Sequence, residues 1–238
     1  MRIDDALQQI DALSAMAQRA TTFDGLRWRP IAGSAMIGLV AGCVQWSGML
    51  RAAAPVDLLS GQIGLAEALN DGTRTGEFLG IWIVAAALAL SVVLVDMVGR
   101  YMRDPTARQR RMTIAVLQRL FPSLAVGAGL TILLIRSGAD TVWMLPGLWA
   151  IVLGLGVHAA AAMLPPRLRY VTLWYIASGF FALLFCWPQA GWLSLGPLHP
   201  LSMIVPFAGG QALSAWLIYL ESDSTRTATA DSEVAQDG

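Results

Sequence analysis

Between positions 170 and 220 the chain carries no Asp, Glu, Lys or Arg, and no other feature restricts its fold so tightly. A single helix of that length, rising about 1.5 Å per residue, would be roughly twice too long for one crossing of a bilayer's hydrocarbon. The stretch must cross twice. Pro188, Gly191, Gly196, Pro197 and Pro200 cluster in its middle, a group of turn residues that no continuous helix tolerates together. The break predicts spans over 170–187 and 200–220.

Charge-free windows locate four more. Residues 30–50 and 78–95 are clean, and 142–164 forms a fourth. The third window, 120–135, is short and reaches spanning length only by recruiting 113–119, which places Arg119 within the span, where its long side chain can snorkel to the interface. The chain as a whole is 56% hydrophobic and 13% charged, with a mean hydropathy of +0.58. Soluble domains carry about a quarter charged residues. The sequence therefore predicts an all-α, polytopic membrane helix bundle of six spans over 30–220, flanked by an N-terminal segment, 1–29, and a disordered tail, 221–238.

Arginine placement sets the expected orientation. With the N-terminus inside, only Arg51, Arg74 and Arg136 fall outside, and every other arginine falls on the cytoplasmic side. Trp46, Trp82, Trp143, Trp187 and Trp192 fall near the outer interface, and Trp28, Tyr101, Tyr170, Trp174, Trp216 and Tyr219 near the inner one. Both ends are thus expected in the cytoplasm. The first thirty residues lack the apolar core and cleavage site of a signal peptide, so the first span is expected to be retained. All basic residues being arginine points to a GC-rich bacterial genome, hence a bacterial inner membrane. Zero formal charge argues against a nucleic-acid partner, since no basic face can neutralise a run of phosphates.

Two segments outside the spans have their own periodicity. In 3–20, Ile3, Leu7, Ile10, Leu13 and Met16 or Ala17 recur every three or four positions, which predicts an amphipathic helix whose polar face holds Asp4, Asp5, Gln8, Gln9 and Asp11. A helix that lies on anionic lipid normally carries several cations there. Leu7, Ile10 and Leu13 are accordingly read as a face that docks on protein. In 56–69, Leu59, Ile63, Ala66 and Leu69 predict a short interfacial helix.

Polar chemistry is sparse. Asp96, Arg119 and His158 lie at similar depth near the inner surface and form the candidate polar membrane cluster. Small residues recur at four-residue spacing in Ser34, Gly38 and Gly42, in Ser123, Gly127 and Thr131, and in Ala150 and Gly154, a pattern that lets helix backbones approach closely. Cys43 and Cys186 lie in apolar segments and read as small hydrophobes. No cofactor, metal ligand set or catalytic residue is expected. The absence of lysine removes any phosphate-binding loop of the Gly-Lys-Ser/Thr type.

Ile176, Ala177, Ser178 and Gly179 resemble the serine motif of rhomboid proteases, also six-helix proteins, but Ile176 replaces that family's leading glycine. The only later histidine, His199, stands before Pro200 at the mouth of the last span, and a serine without a base in reach is not an activated nucleophile. A second likeness runs through Met16, Arg19, Thr22, Phe23 and Leu26 into Gly38, and through Phe207, Gly209, Gly210 and Tyr219 in the last span. These residues resemble a group of uncharacterised bacterial six-helix inner-membrane proteins with an N-terminal amphipathic stretch. That resemblance implies a fold and no activity. The expected function is non-enzymatic, docking a cytoplasmic protein partner or a second copy within the lipid bilayer. A small transporter or channel using Asp96, Arg119 and His158 is the alternative, and a lipid-modifying membrane enzyme the third.

Overall fold

A computed structural model describes residues 27–53, 72–103, 107–161, 164, 166–188, 195–196 and 198–234. The amphipathic segment 3–20, with Leu7, Ile10 and Leu13, and the interfacial segment 56–69 lie outside them. The described residues are helical, without a strand: α1 (Trp28–Ala53), α2 (Gly72–Arg103), α3 (Ala107–Ser137), a 3-10 turn (Ala139–Met144), α4 (Leu145–Ala160), α5 (Arg169–Cys186), α6 (Leu201–Met203), and α7 (Gly209–Val234). A π-helical turn, Ile204–Ala208, joins α6 to α7. Among the described residues, six helical stretches are long and apolar enough to cross a membrane: Trp28–Arg51, Thr75–Gly99, Ile114–Ser137, Thr141–Ala160, Pro166–Cys186 and Leu201–Ser222.

Prolines and glycines mark the boundaries. Pro30 sits in the first turn of α1 and Pro146 in that of α4, positions whose N–H groups have no intrahelical partner to lose. The reversal before α6 uses Gly196 at φ 92° and Leu198 at φ 57°. A left-handed leucine is strained, and such a conformation persists only when its surroundings over-determine it. Here Gln45 Nε2 donates to the Leu198 carbonyl at 2.6 Å, and the Leu198 side chain packs against the cluster of Ala41, Phe78, Trp82, Ala85 and Met203. Pro206 cannot donate to the helical ladder, and the chain accommodates it with the π turn. The Val205 carbonyl there accepts a hydrogen bond from Trp174 Nε1 at 3.1 Å.

The helices pack in an order that differs from the chain order. α2 packs on α1, α1 on the π turn and α7, the sixth span on α5, α5 on α4, and α4 on α3. α2 and α3, joined through residues 104–106, pack mainly on α1 and α4 respectively. Part of the small-residue pattern sits at these seams, though Gly127 has nothing within 4 Å of its Cβ position, and glycines outside the pattern, Gly147, Gly156 and Gly179, join it there. Gly42 meets Ile204 and Gly38 meets Ala208. Gly147 and Gly179 face each other across α4 and α5, and Gly156 receives Ser123 of α3. Trp28 stacks edge-on against Tyr219 with ring centroids 5.7 Å apart, so the start of α1 and the later part of α7 share one end of the bundle, called here the near end.

Two boundaries differ from the sequence reading. α2 runs beyond the charge-free window 78–95, through Asp96 to Arg103. The last helix continues to Val234 in place of a disordered tail from 221. Gly99 does not stop α2, residues 221–234 hold no Pro or Gly, and polarity alone ends a span without ending a helix.

Candidate functional site

Of the candidate polar cluster, the fold brings two members to one level and turns the third elsewhere. Phe78, Trp82 and Ala85 form the buried stripe by which α2 meets α1. Three- and four-residue steps along that stripe lead to Asp96. Val92 touches the Gly33 position of α1 at 3.7 Å, which puts the half-buried Asp96 one turn further, level with Arg29. Asp96 has an interaction of its own. Arg119 is exposed and places Nη1 3.3 Å from the Ala159 carbonyl on α4, next to the exposed His158. The α3–α4 seam thus joins Arg119 to the His158 turn, while Asp96 belongs to the α1–α2 seam.

The polar side chains deeper in the bundle bond one another across helices. Ser34 Oγ lies 2.7 Å from the Ile31 carbonyl and 3.1 Å from Gln211 Oε1, and the Gln211 amide is hydrogen-bonded to the Tyr175 hydroxyl. One link therefore ties α1, α7 and α5. Towards the other end, Trp82 Nε1 donates to Gln45 Oε1 at 2.7 Å while Gln45 Nε2 holds the Leu198 carbonyl. Trp149 Nε1 donates to Thr131 Oγ1 at 2.8 Å and stacks on Phe78. Ser178 Oγ bonds back to the Trp174 carbonyl at 2.6 Å. The sequence reading missed Gln45 and Gln211. Their signal was present: an amide in an otherwise apolar span must find a partner on another helix or strand its polar groups in hydrocarbon.

Near the reversal, Cys186 is buried and hydrogen-bonded to the Ser202 hydroxyl and the His199 backbone. His199 packs against Trp46 with centroids 5.4 Å apart, and burial lowers its pKa below the ordinary 6.5. The folded state therefore favours the neutral imidazole. The sign follows: the unfolded chain binds the proton more readily, so His199 lowers stability as pH falls below about 6.5 and has no such effect above it. The thermal midpoint of the detergent-purified protein is expected to drop between pH 7.5 and pH 5, and His199→Gln is expected to flatten that slope. An identical slope in the variant would assign the pH dependence to other groups.

At the near end a groove of about 400 Å³ is lined by Pro166, Arg167, Arg169, Tyr170, Leu217 and Leu220. Leu217 is buried and forms its floor. On the rim, Arg167 Nε stands 3.5 Å from Glu221 Oε2 with both side chains about half exposed, and the Arg169 guanidinium lies over the Tyr170 ring at 5.4 Å. A cationic rim with one carboxylate over an apolar floor can seat an amphipathic ligand by its apolar face. Among the described residues no group of three or more His, Cys, Asp and Glu side chains is arranged to hold a metal ion. In comparisons with known proteins, no family model, no curated protein and no solved structure matches this chain.

Proposed function

We propose that this is a non-enzymatic protein of the bacterial inner membrane, with both ends in the cytoplasm, that docks a cytoplasmic protein partner. The observation that carries the reading is the division of polar chemistry. Ser34, Gln211, Tyr175, Gln45, Trp82, Thr131 and Trp149 are engaged in helix-to-helix hydrogen bonds, the role of glue in a bundle. The accessible arginines and the amphipathic groove stand at the near end, the side that the arginine asymmetry assigns to the cytoplasm. A transporter working through Asp96, Arg119 and His158 needs all three on one cavity, and the placement of Asp96 on the α1-facing stripe does not favour it.

The test changes Leu7, Ile10 and Leu13 together to Ser, which removes the apolar face of segment 3–20 without altering charge. Photo-crosslinking from residues 1–26 in cells is expected to lose its partner band in this variant, while membrane insertion stays unchanged because the spans are untouched. Survival of the same partner band would overturn the docking reading.

A further inference from the structure

The near-end groove is built for an occupant with both an apolar face and charges of mixed sign. Leu217, Leu220 and Tyr170 supply the apolar surface, while Arg167 and Arg169 stand on the rim with Glu221 beside Arg167. We infer that this groove receives the chain's own segment 3–20, with Leu7, Ile10 and Leu13 on the apolar floor and Asp4, Asp5 and Asp11 towards Arg167 and Arg169.

Three observations point to that occupant. The first is connection: Trp28 packs against Tyr219, whose helical neighbours Leu217 and Leu220 are groove walls. The chain therefore enters α1 beside the groove. Residues 21–27 intervene, and a chain extends about 3.3–3.6 Å per residue, so they can span roughly 25 Å. The second is charge. A guanidinium has five N–H donors, so an arginine already beside a carboxylate or an aromatic ring keeps donors for another carboxylate. The segment offers three aspartates with Arg2 and Arg19 at its ends, a mixture that matches a rim holding both signs. Arg2 and Arg19 of the segment can answer the Glu221 carboxylate beside Arg167, whereas an anionic lipid headgroup brings no cation to it, and this favours the segment over lipid. The third is the segment itself, whose apolar stripe needs cover and whose polar face lacks the cations for lying on an anionic bilayer. The docking stands whether or not a separate partner exists; if one does, it meets a surface composed of the segment and the bundle, or displaces the segment.

The experiment uses the full chain in membranes with the exposed native Cys43 replaced by Ala, so that it cannot pair with the introduced thiols. Ile10→Cys is combined with Leu220→Cys, and the initial rate of disulfide formation under mild oxidant is compared with that of Ile10→Cys combined with Ser137→Cys at the opposite end of α3. Rapid formation of an intramolecular disulfide for the groove pair alone is the expected result, with the rate falling about fivefold when Arg167→Gln and Arg169→Gln are added. A second pair, Leu7→Cys with Tyr170→Cys, covers the case in which the first perturbs folding, and thermal midpoints are read for every variant. A groove-pair rate equal to that of the distant pair overturns the inference. So does a disulfide-linked dimer, which would make a second copy the occupant. Loss of co-purified phosphatidylglycerol in the arginine variants without an intramolecular disulfide would assign the groove to lipid and overturn it too. Both readings use the same apolar face and are told apart by readout: a groove disulfide without a partner band leaves the groove reading alone standing, and a partner band without the disulfide leaves the partner reading alone.

Discussion

Replacing Tyr175 by Ala is expected to cost the folded bundle about 3–5 kcal/mol, the range for emptying a large buried aromatic site. The side chain is 2% exposed and occupies the junction of three seams. Gly210 of α7 approaches its ring so closely that a Cβ there would lie 2.5 Å from Cζ, Gly154 of α4 lies against its Cβ, and Phe207 tilts against it at 6.2 Å. Removing the ring leaves a cavity that backbones already in contact cannot close, and it strips the Gln211 amide of one partner. Tyr175→Phe is the control, because it keeps the ring and loses only the hydroxyl. Interhelical hydrogen bonds in membranes contribute about 0.6 kcal/mol on average and up to about 1.7. Unfolding of both variants in a detergent titration measures the difference. Equal losses would mean that the hydrogen bond, and not the packing, holds this junction.

The spans were legible because charge exclusion is a local property of sequence. The windows at 30–50 and 170–187 needed only the absence of Asp, Glu and Arg, and the last break needed only its prolines and glycines. Which helix packs on which was not legible, since a lipid-facing Leu and a protein-facing Leu read alike when the solvent is as apolar as the core. α2 shows the point: Ile83, Val84 and Leu88 are more than half exposed while Phe78 and Trp82 are buried, yet all five are apolar. The same ambiguity hid the position of Asp96. Its depth could be read from its place in the span. Its direction depended on knowing that Phe78, Trp82 and Ala85 face α1. Pro206 was visible in the sequence, but its outcome as a π turn accepting a hydrogen bond from Trp174 depends on α5 lying alongside. The docking face of Leu7, Ile10 and Leu13 lies outside the described residues and remains a proposal.

Glycine substitutions are expected to change stability in opposite directions according to seam. A Cβ at Gly179 would lie 2.8 Å from the Gly147 carbonyl oxygen and 2.7 Å from Ile151 Cγ1. The first of these is backbone, which cannot rotate away, so Gly179→Val must push α4 and α5 apart. Overpacking of this kind costs about 1–3 kcal/mol and occasionally more. The separation would also disturb the Gly154 contact with Tyr175 further along the same pair of helices. Gly80 of α2 and Gly129 of α3 have nothing within 4 Å of their Cβ positions, and no buried residue occurs in a whole 18-residue window of the third span. Alanine at those two sites removes the entropy cost of a mid-helix glycine without a clash, a gain of roughly 0.5–1 kcal/mol each. Thermal midpoints of the three variants in one detergent should therefore fall for Gly179→Val and rise for Gly80→Ala and Gly129→Ala. A fall at Gly129 comparable to that at Gly179 would show that α3 packs against something beyond its own chain, and would make a second copy of the protein the first candidate for that contact.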